Sequence, residues 1–310
     1  MTWQEELKMH LQKLGDFWVD KNMDRYQVIK DKEKQAIGRK KDSLKERKIK
    51  IVKANVSGKI LSMRTLADER TVEYRYYLSL LQKQMDTHFH IEETWGKRRA
   101  TFKNDRLILD EDLNDESTLF QPKGSQILVD SELEVLAGDD RSPSKKKGKS
   151  FFYDRIKVVR YADRWWNSNN PEFKAFDVDC TNYVSQCLYA GGIPMDGRYN
   201  QQTGWWFSNN RWSLSWAVAH SFRWYLASDR NIMGAVAVDT PEKLQPGDVI
   251  CYDFEGDGHW DHSTIVTDKD GQGMPLVNAH TTNSRHRYWA YEDSSAWTQN
   301  IRYKFYHIED

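Results

Sequence analysis

Three cysteines in 310 residues are an odd number at low density, which excludes the disulfide framework that staples small secreted domains. A long apolar run is also lacking, since no segment approaches the ~18 residues that a membrane span requires. The opening stretch, MTWQEELKMHLQKLGDFWVD, carries charges every few residues and has no apolar core of signal-peptide length. A cytoplasmic protein without a membrane span is the expectation. Neither sign of charge is in excess, 46 basic residues standing against 46 acidic ones, so the chain has no signature of a nucleic-acid or membrane-surface binder. Internal repeats and long low-complexity tracts are missing as well.

What is present is enough apolar and aromatic material, 39% and 13% of residues, to give each of two ordinary domains a core. Trp3, Leu7, Leu11, Leu14 and Trp18 recur at spacings of four, four, three and four, the stripe of an amphipathic helix. The lysine- and arginine-rich run from Lys30 to Lys50 reads as a solvated continuation of that helix, a partner-binding basic face being the alternative. The period then changes. KIVKANVSGKILSMRTL, TVEYRYYLSLL, THFHIEETWGKRRATFKND and RLILDEDL are β-rich or alternating runs broken by Gly, Asp and Asn, as in an antiparallel meander. Residues 1–136 are therefore expected to form an α+β domain of a helix followed by a sheet. Residues 137–150, AGDDRSPSKKKGKS, read as a linker. Residues 151–310 form the second domain, which holds ten of the thirteen tryptophans.

Within the second domain, FDVDCTNYVSQCLYAGG predicts a helix that begins at Cys180 and stops at Gly191 and Gly192, with Pro194 preventing its resumption. A helix N-terminus presents unpaired N–H groups and a partial positive charge, which favour a thiolate. Cys187 lies seven residues on, ~10 Å along a helix and beyond the ~7 Å limit of a disulfide, and it reads as core. Cys251 lies in VICYDF with nothing beside it to activate it. Downstream, KLQPGDVICYDF, GDGHWDHSTIVTD and MPLVNAHTT predict strands joined by Gly and Asp turns. They place His262 at a strand start and His280 on the next strand, with Asn278 on the same strand face two residues earlier. A thiol, a histidine to take and return its proton, and a third polar group to orient that histidine are the parts of a cysteine hydrolase. Asp179 beside the thiol and Trp205 or Trp206 in the following aromatic stretch are candidates for contacting substrate, whereas Trp212, Trp216 and Phe222 are expected inside.

Two metal readings compete. His259 and His262, with Asp261 and His280, have zinc-ligand residue types, but residues three apart on a strand face opposite sides. Asp253, Glu255, Asp257, Gly258 and Asp261 occupy positions 1, 3, 5, 6 and 9 of a calcium loop, yet Thr264 stands at position 12 in place of the bidentate glutamate. An acidic hairpin turn is the simpler reading, and neither metal nor cofactor is expected.

DCTNYVSQCLYAGG, followed by PGDVI, DFEGDGHWDHSTIVT and VNAHT, resembles the amidase-like domain of Gram-positive bacteria, which is related to the NlpC-type and CHAP papain-like hydrolases. The resemblance covers residues 151–310. It implies a papain-like α+β fold, with a helix followed by an antiparallel sheet. It further implies Cys180 as nucleophile, His262 as general base, His280 or Asn278 as the orienting residue, and hydrolysis of an amide bond in a peptide or peptidoglycan fragment. A catalytically inactive peptide- or glycan-binding module on the same scaffold is the alternative expectation.

Overall fold

A computed structural model describes residues 1–19, 28–85, 87–114, 116, 151–197 and 200–310; the linker expected at 137–150 lies outside them. The chain forms two compact units, one of residues 1–119 and 282–296, the other of residues 120–281 and 297–310. Both combine helices with antiparallel strands, so the fold class is α+β.

In the first unit, α1 (Trp3–Val19) buries Leu7, Leu14 and Trp18, as its spacing predicts. A Cβ on Gly58 would stand 3.0 Å from both Leu11 Cδ1 and Tyr74 Cδ2, so the absent side chain is what lets α1 settle on the sheet. The basic run departs from expectation. It is a second helix, α2 (Asp31–Glu46), entered through an extended Lys30 with φ −64° and ψ 147°, and its inner face buries Ala36, Ile37, Lys40 and Leu44. A lysine occupies a core-facing position in that stripe, which is why the run reads as uniformly polar.

The strands β1 (Ile49–Leu66), β2 (Glu69–Gln84), β3 (His88–Lys103) and β4 (Arg106–Asp112) follow as antiparallel neighbours. Strand β2 shows strict alternation, with Val72, Tyr74, Tyr76, Leu78 and Leu80 inward.

In the second unit, α3 (Arg155–Trp165), α4 (Cys180–Ala190), α5 (Leu214–Ala217) and α6 (Ala219–Ala227) accompany a short hairpin, β5 (Phe207–Ser208) and β6 (Arg211–Trp212). The strands β7 (Ala235–Val238), β8 (Val249–Asp253), β9 (His262–Lys269), β10 (Pro275–Ala279) and β12 (Arg302–Ile308) stand in the order β10-β9-β8-β12-β7, all antiparallel. The sequence reading assigns the intervening strand, β11 (Asn283–Tyr288), to the second domain; it instead pairs with β3, Asn283 opposite Trp95 and Arg285 opposite Glu93, and belongs to the first unit. The second core joins Tyr183, Val184 and Leu188 of α4 to Val249, Cys251 and Ile265 of the sheet. Gly191 ends α4 where any Cβ would fall 2.4 Å from Val158 Cγ2, so the chain stops there against α3.

Candidate active site

Cys180 is the first residue of α4 and is 2% exposed. Its sulfur accepts the Ser263 backbone N–H and lies 3.7 Å from Thr181 Oγ1; Thr181 in turn donates to Ser263 Oγ at 3.3 Å. The helix N-terminus and the start of β9 thus meet at the sulfur. Burial pushes the Cys180 thiol up, the Ser263 and Thr181 donors pull it back, and the Asp179 charge adds to the rise. The net shift is upward, opposite to the lowering that the helix N-terminus alone predicts. Burial likewise pushes Cys251 up to about 12 and places Cys187 well above its ordinary range.

His262 opens β9 directly opposite Tyr252 of β8. The ring is fully buried, with its centroid 5.5 Å from that of Tyr252 and 6.2 Å from that of Phe254. The peptide that follows it carries the N–H that Cys180 accepts, so the site joins the nucleophile and base candidates through the His262–Ser263 backbone.

His280 and Asn278 flank α4 through Tyr183. The His280 ring stacks on Tyr183 with centroids 4.0 Å apart, and Asn278 hydrogen-bonds the Tyr183 side chain. His280 Nδ1 lies 2.8 Å from Asp179 Oδ2, and Nε2 lies 2.7 Å from the Trp165 carbonyl. Asn278 Nδ2 donates to Asp163 at 3.0 Å while its Oδ1 accepts from Thr267 at 2.9 Å. These contacts tie both residues to α3 and α4, and a ring-orienting role toward His262 is an expectation that they do not supply.

Asp179 and the two tryptophans depart from the substrate-contact expectation. Asp179 is buried and accepts from Phe176 N at 3.0 Å and Asn182 Nδ2 at 2.8 Å, besides its contact with His280; it fixes the entry into α4. Trp205 is fully buried and donates Nε1 to Ser185 Oγ at 2.9 Å. Trp206 is 2% exposed, with Nε1 on the carbonyls of Asn200 and Thr203. Both are core members because each indole N–H finds an internal acceptor. Trp216 and Phe222 are buried as expected, and Trp212 is half-buried, edge-on to Phe176. Thr181, Tyr183, Ser263 and Asp163 complete the site without a local sequence signal. They are serviceable core and surface residue types, and Asp163 meets Asn278 from 115 positions away.

In the acidic turn, one oxygen each of Asp253, Glu255 and Asp261 lies within 4.8 Å of the others, a grouping compatible with a cation. The Asp253 carboxylate accepts the N–H groups of Gly256, Asp257 and Gly258 at 2.7, 3.2 and 2.9 Å, which is the bonding of a self-closed hairpin turn. His259 faces Asp261 at 3.3 Å and stacks on His220 with centroids 4.8 Å apart, whereas His262 packs with Tyr252 and Phe254. The H-x-x-H pair therefore has two separate surroundings.

Among the described residues no helix is long and apolar enough to cross a membrane. Residues 152–306 match the family described as "Putative amidase domain". The chain is similar to the uncharacterized protein YhbB of Bacillus subtilis (strain 168), 44% identical over 273 residues that cover 88% of this chain and 85% of the relative. It is also similar to the uncharacterized protein YjcM of the same organism, 30% identical over 139 residues covering 42% of this chain and 31% of that protein. No solved structure matches. On the extent of the family match and the identity to YhbB, the chain belongs to the family described as "Putative amidase domain".

Proposed function

We propose that the second unit hydrolyses an amide bond of a peptide or cell-wall peptide through a thioester on Cys180, on a scaffold of papain-like, NlpC type. One observation supports this most: the Ser263 N–H, one residue after His262, donates to the sulfur of the residue that opens α4. Because burial pushes the thiol up, the resting nucleophile is the thiol, and attack requires a base to take its proton. His262 is assigned that role. Sulfur then bonds to the carbonyl carbon, the C–N bond breaks, and the departing amine receives the proton held by His262. A water molecule, deprotonated by the same ring, cleaves the thioester to a carboxylic acid and restores the thiol. The α4 N-terminus supplies the partial positive charge that the tetrahedral oxyanion needs. The first unit would select substrate or direct assembly.

A second reading, a binding module on the same scaffold, draws on the closure of the site, since Cys180 is 2% exposed. Incubating the full chain with wall fragments and assorted peptides, with products read by mass spectrometry, separates the two. Hydrolysis that is lost in Cys180→Ser, together with an acyl adduct on the Cys180 peptide, supports the hydrolase. Retained hydrolysis in Cys180→Ser removes the thiol mechanism, and binding without turnover selects the module.

A further inference from the structure

Arg223, on α6, is a buried cation without a counter-charge. It is 5% exposed, and its Nε and Nη1 are closed off from solvent with no hydrogen-bond partner. Among the described residues the guanidinium makes no ion pair, and Nη2, the one nitrogen not closed off, makes no hydrogen bond either. Its neighbours are aromatic: Cζ stands 3.9 Å from the centroid of the Trp224 ring and 5.2 Å from that of Trp260. Ring faces attract a cation, but they leave the in-plane N–H donors of the fork unmatched. The comparably buried arginines of the first unit are held differently. Arg98 has Glu33 at 2.7 Å and Asp110 at 2.9 Å, and Arg287 has Glu116 at 3.1 Å and Asp293 at 2.9 Å. The backbone of Arg223 is fixed, since its carbonyl accepts from the Tyr306 hydroxyl of β12 at 3.4 Å.

The charge is felt beside the nucleophile. Burial pushes the Cys251 thiol up to about 12, and the largest influence drawing it back is Arg223. Cys251 stands opposite Ser263 across the β8–β9 pair, and its side chain bonds to that of Ser263. The Ser263 N–H in turn donates to Cys180. One serine thus links the thiol that senses Arg223 to the thiol that opens α4. Trp260, one of the two rings about the guanidinium, stands two residues before His262.

We propose that Arg223 binds a carboxylate of the substrate, so that the substrate class is a peptide carrying a free carboxylate near the scissile amide. An interior cation left unpaired costs free energy, which a matching anion recovers. The open Nη2 is where the carboxylate would accept a charge-assisted hydrogen bond, and the two indoles beside it lower the local dielectric and strengthen that bond. The assignment rests on the hydrolase reading of the second unit and names what that hydrolase takes.

The test is calorimetric titration of the full chain carrying Cys180→Ser with three probes: N-acetylalanylalanine as the free acid, its C-terminal amide, and inorganic phosphate. The acid is expected to bind about tenfold more tightly than the amide, the order of one charge-assisted hydrogen bond. Arg223→Met is expected to erase that difference while leaving the affinity for the amide unchanged, and Arg223→Gln serves if Arg223→Met fails to fold. Equal binding of acid and amide, no heat from the acid, phosphate binding as tightly as the acid, or a preference that persists in a folded Arg223 variant would overturn the proposal. The two readings fail separately. An Arg223-dependent preference without turnover by the wild type would remove the hydrolase and keep the carboxylate site, whereas turnover of peptides without that preference would do the reverse.

Discussion

His280 Nδ1 lies 2.8 Å from Asp179 Oδ2, on the residue that immediately precedes Cys180. Its other nitrogen, Nε2, meets the Trp165 carbonyl at 2.7 Å; a carbonyl only accepts, so Nε2 carries a hydrogen, and a further proton lies between Nδ1 and the carboxylate. The pair is almost wholly buried, with side-chain exposures of 4% and 8%, and it anchors the start of α4 to β10 and α3. Removing one partner strands the other. His280→Ala is expected to cost about 3–5 kcal/mol, read as a lower midpoint in urea unfolding. Any hydrolysis should fall with it through misplacement of the α4 N-terminus. A His280→Ala protein as stable as the wild type would show that the contact holds nothing.

The three thiols are expected to react in the order Cys180, Cys251, Cys187 with iodoacetamide, as read by peptide mapping. Burial raises all three, and the thiolate is the reacting form. Cys180 has the Ser263 N–H and the helix N-terminus to draw its thiol back down. Because its net shift is still upward, labelling should keep accelerating as pH rises past the ordinary thiol value of ~8.5. A plateau near neutral pH would mean that a cation beside the sulfur outweighs burial, and loss of that plateau in His262→Ala would identify the cation.

Lys40 is where charge patterning misleads. Burial opposes its charge, but Asp293 and Glu92 more than offset burial and hold the ammonium above the usual lysine range. Stability from this group is therefore fully present at neutral pH and lost only as pH rises through that elevated value. Lys40→Met leaves two carboxylates facing each other in the interior, with an expected cost of about 3–5 kcal/mol. Lys34→Met, on the exposed Asp31 pair of the same helix, should leave the urea midpoint unchanged. Equal effects of the two would place Lys40 on a solvated face after all.

Those residues also mark what is legible in the sequence. The α1 stripe, the alternation from Val72 to Leu80 and the helix from Cys180 to the glycines follow from periods of 3.6 and 2 and from local stop signals, all of which are contained in short windows. Lys40 meets carboxylates 52 and 253 positions away, and β11 pairs with a strand some 190 positions earlier, Arg285 lying opposite Glu93. No short window contains such partners, so a lysine reads as surface and β11 as part of its sequence neighbours. Trp205 and Trp206 mislead for a similar reason: a tryptophan's N–H favours a wet edge unless an acceptor such as Ser185 Oγ or the Asn200 carbonyl stands inside, and only the fold decides that.

The acidic turn gives a sharp contrast between Asp253 and Glu255. Asp253 is buried and accepts three backbone N–H groups, so Asp253→Ala is expected to destabilise the second unit whether or not calcium is present. Calcium itself should raise the melting temperature little at micromolar concentration, because Thr264 stands where the closing bidentate glutamate belongs. A large rise that is lost in Glu255→Gln would establish the cation site.

Asp112, near the end of β4, carries a pH signature of its own. Burial pushes its carboxyl up to about 6; Arg98 from β3 and the Asn114 N–H work the other way, and Glu33 from α2 and Glu116 after β4 add to the rise. In the unfolded chain the value is ~3.9. The folded state therefore binds the proton more tightly, and the stability that Asp112 contributes is present below ~4 and lost as pH climbs from there through about 6. Asp112→Asn removes that loss. Above pH 6 the variant should be more stable than the wild type by about 1–3 kcal/mol in urea unfolding, and near pH 4 the two should converge. If Asp112→Asn were the less stable protein above pH 6, the carboxylate would already be satisfied inside the fold.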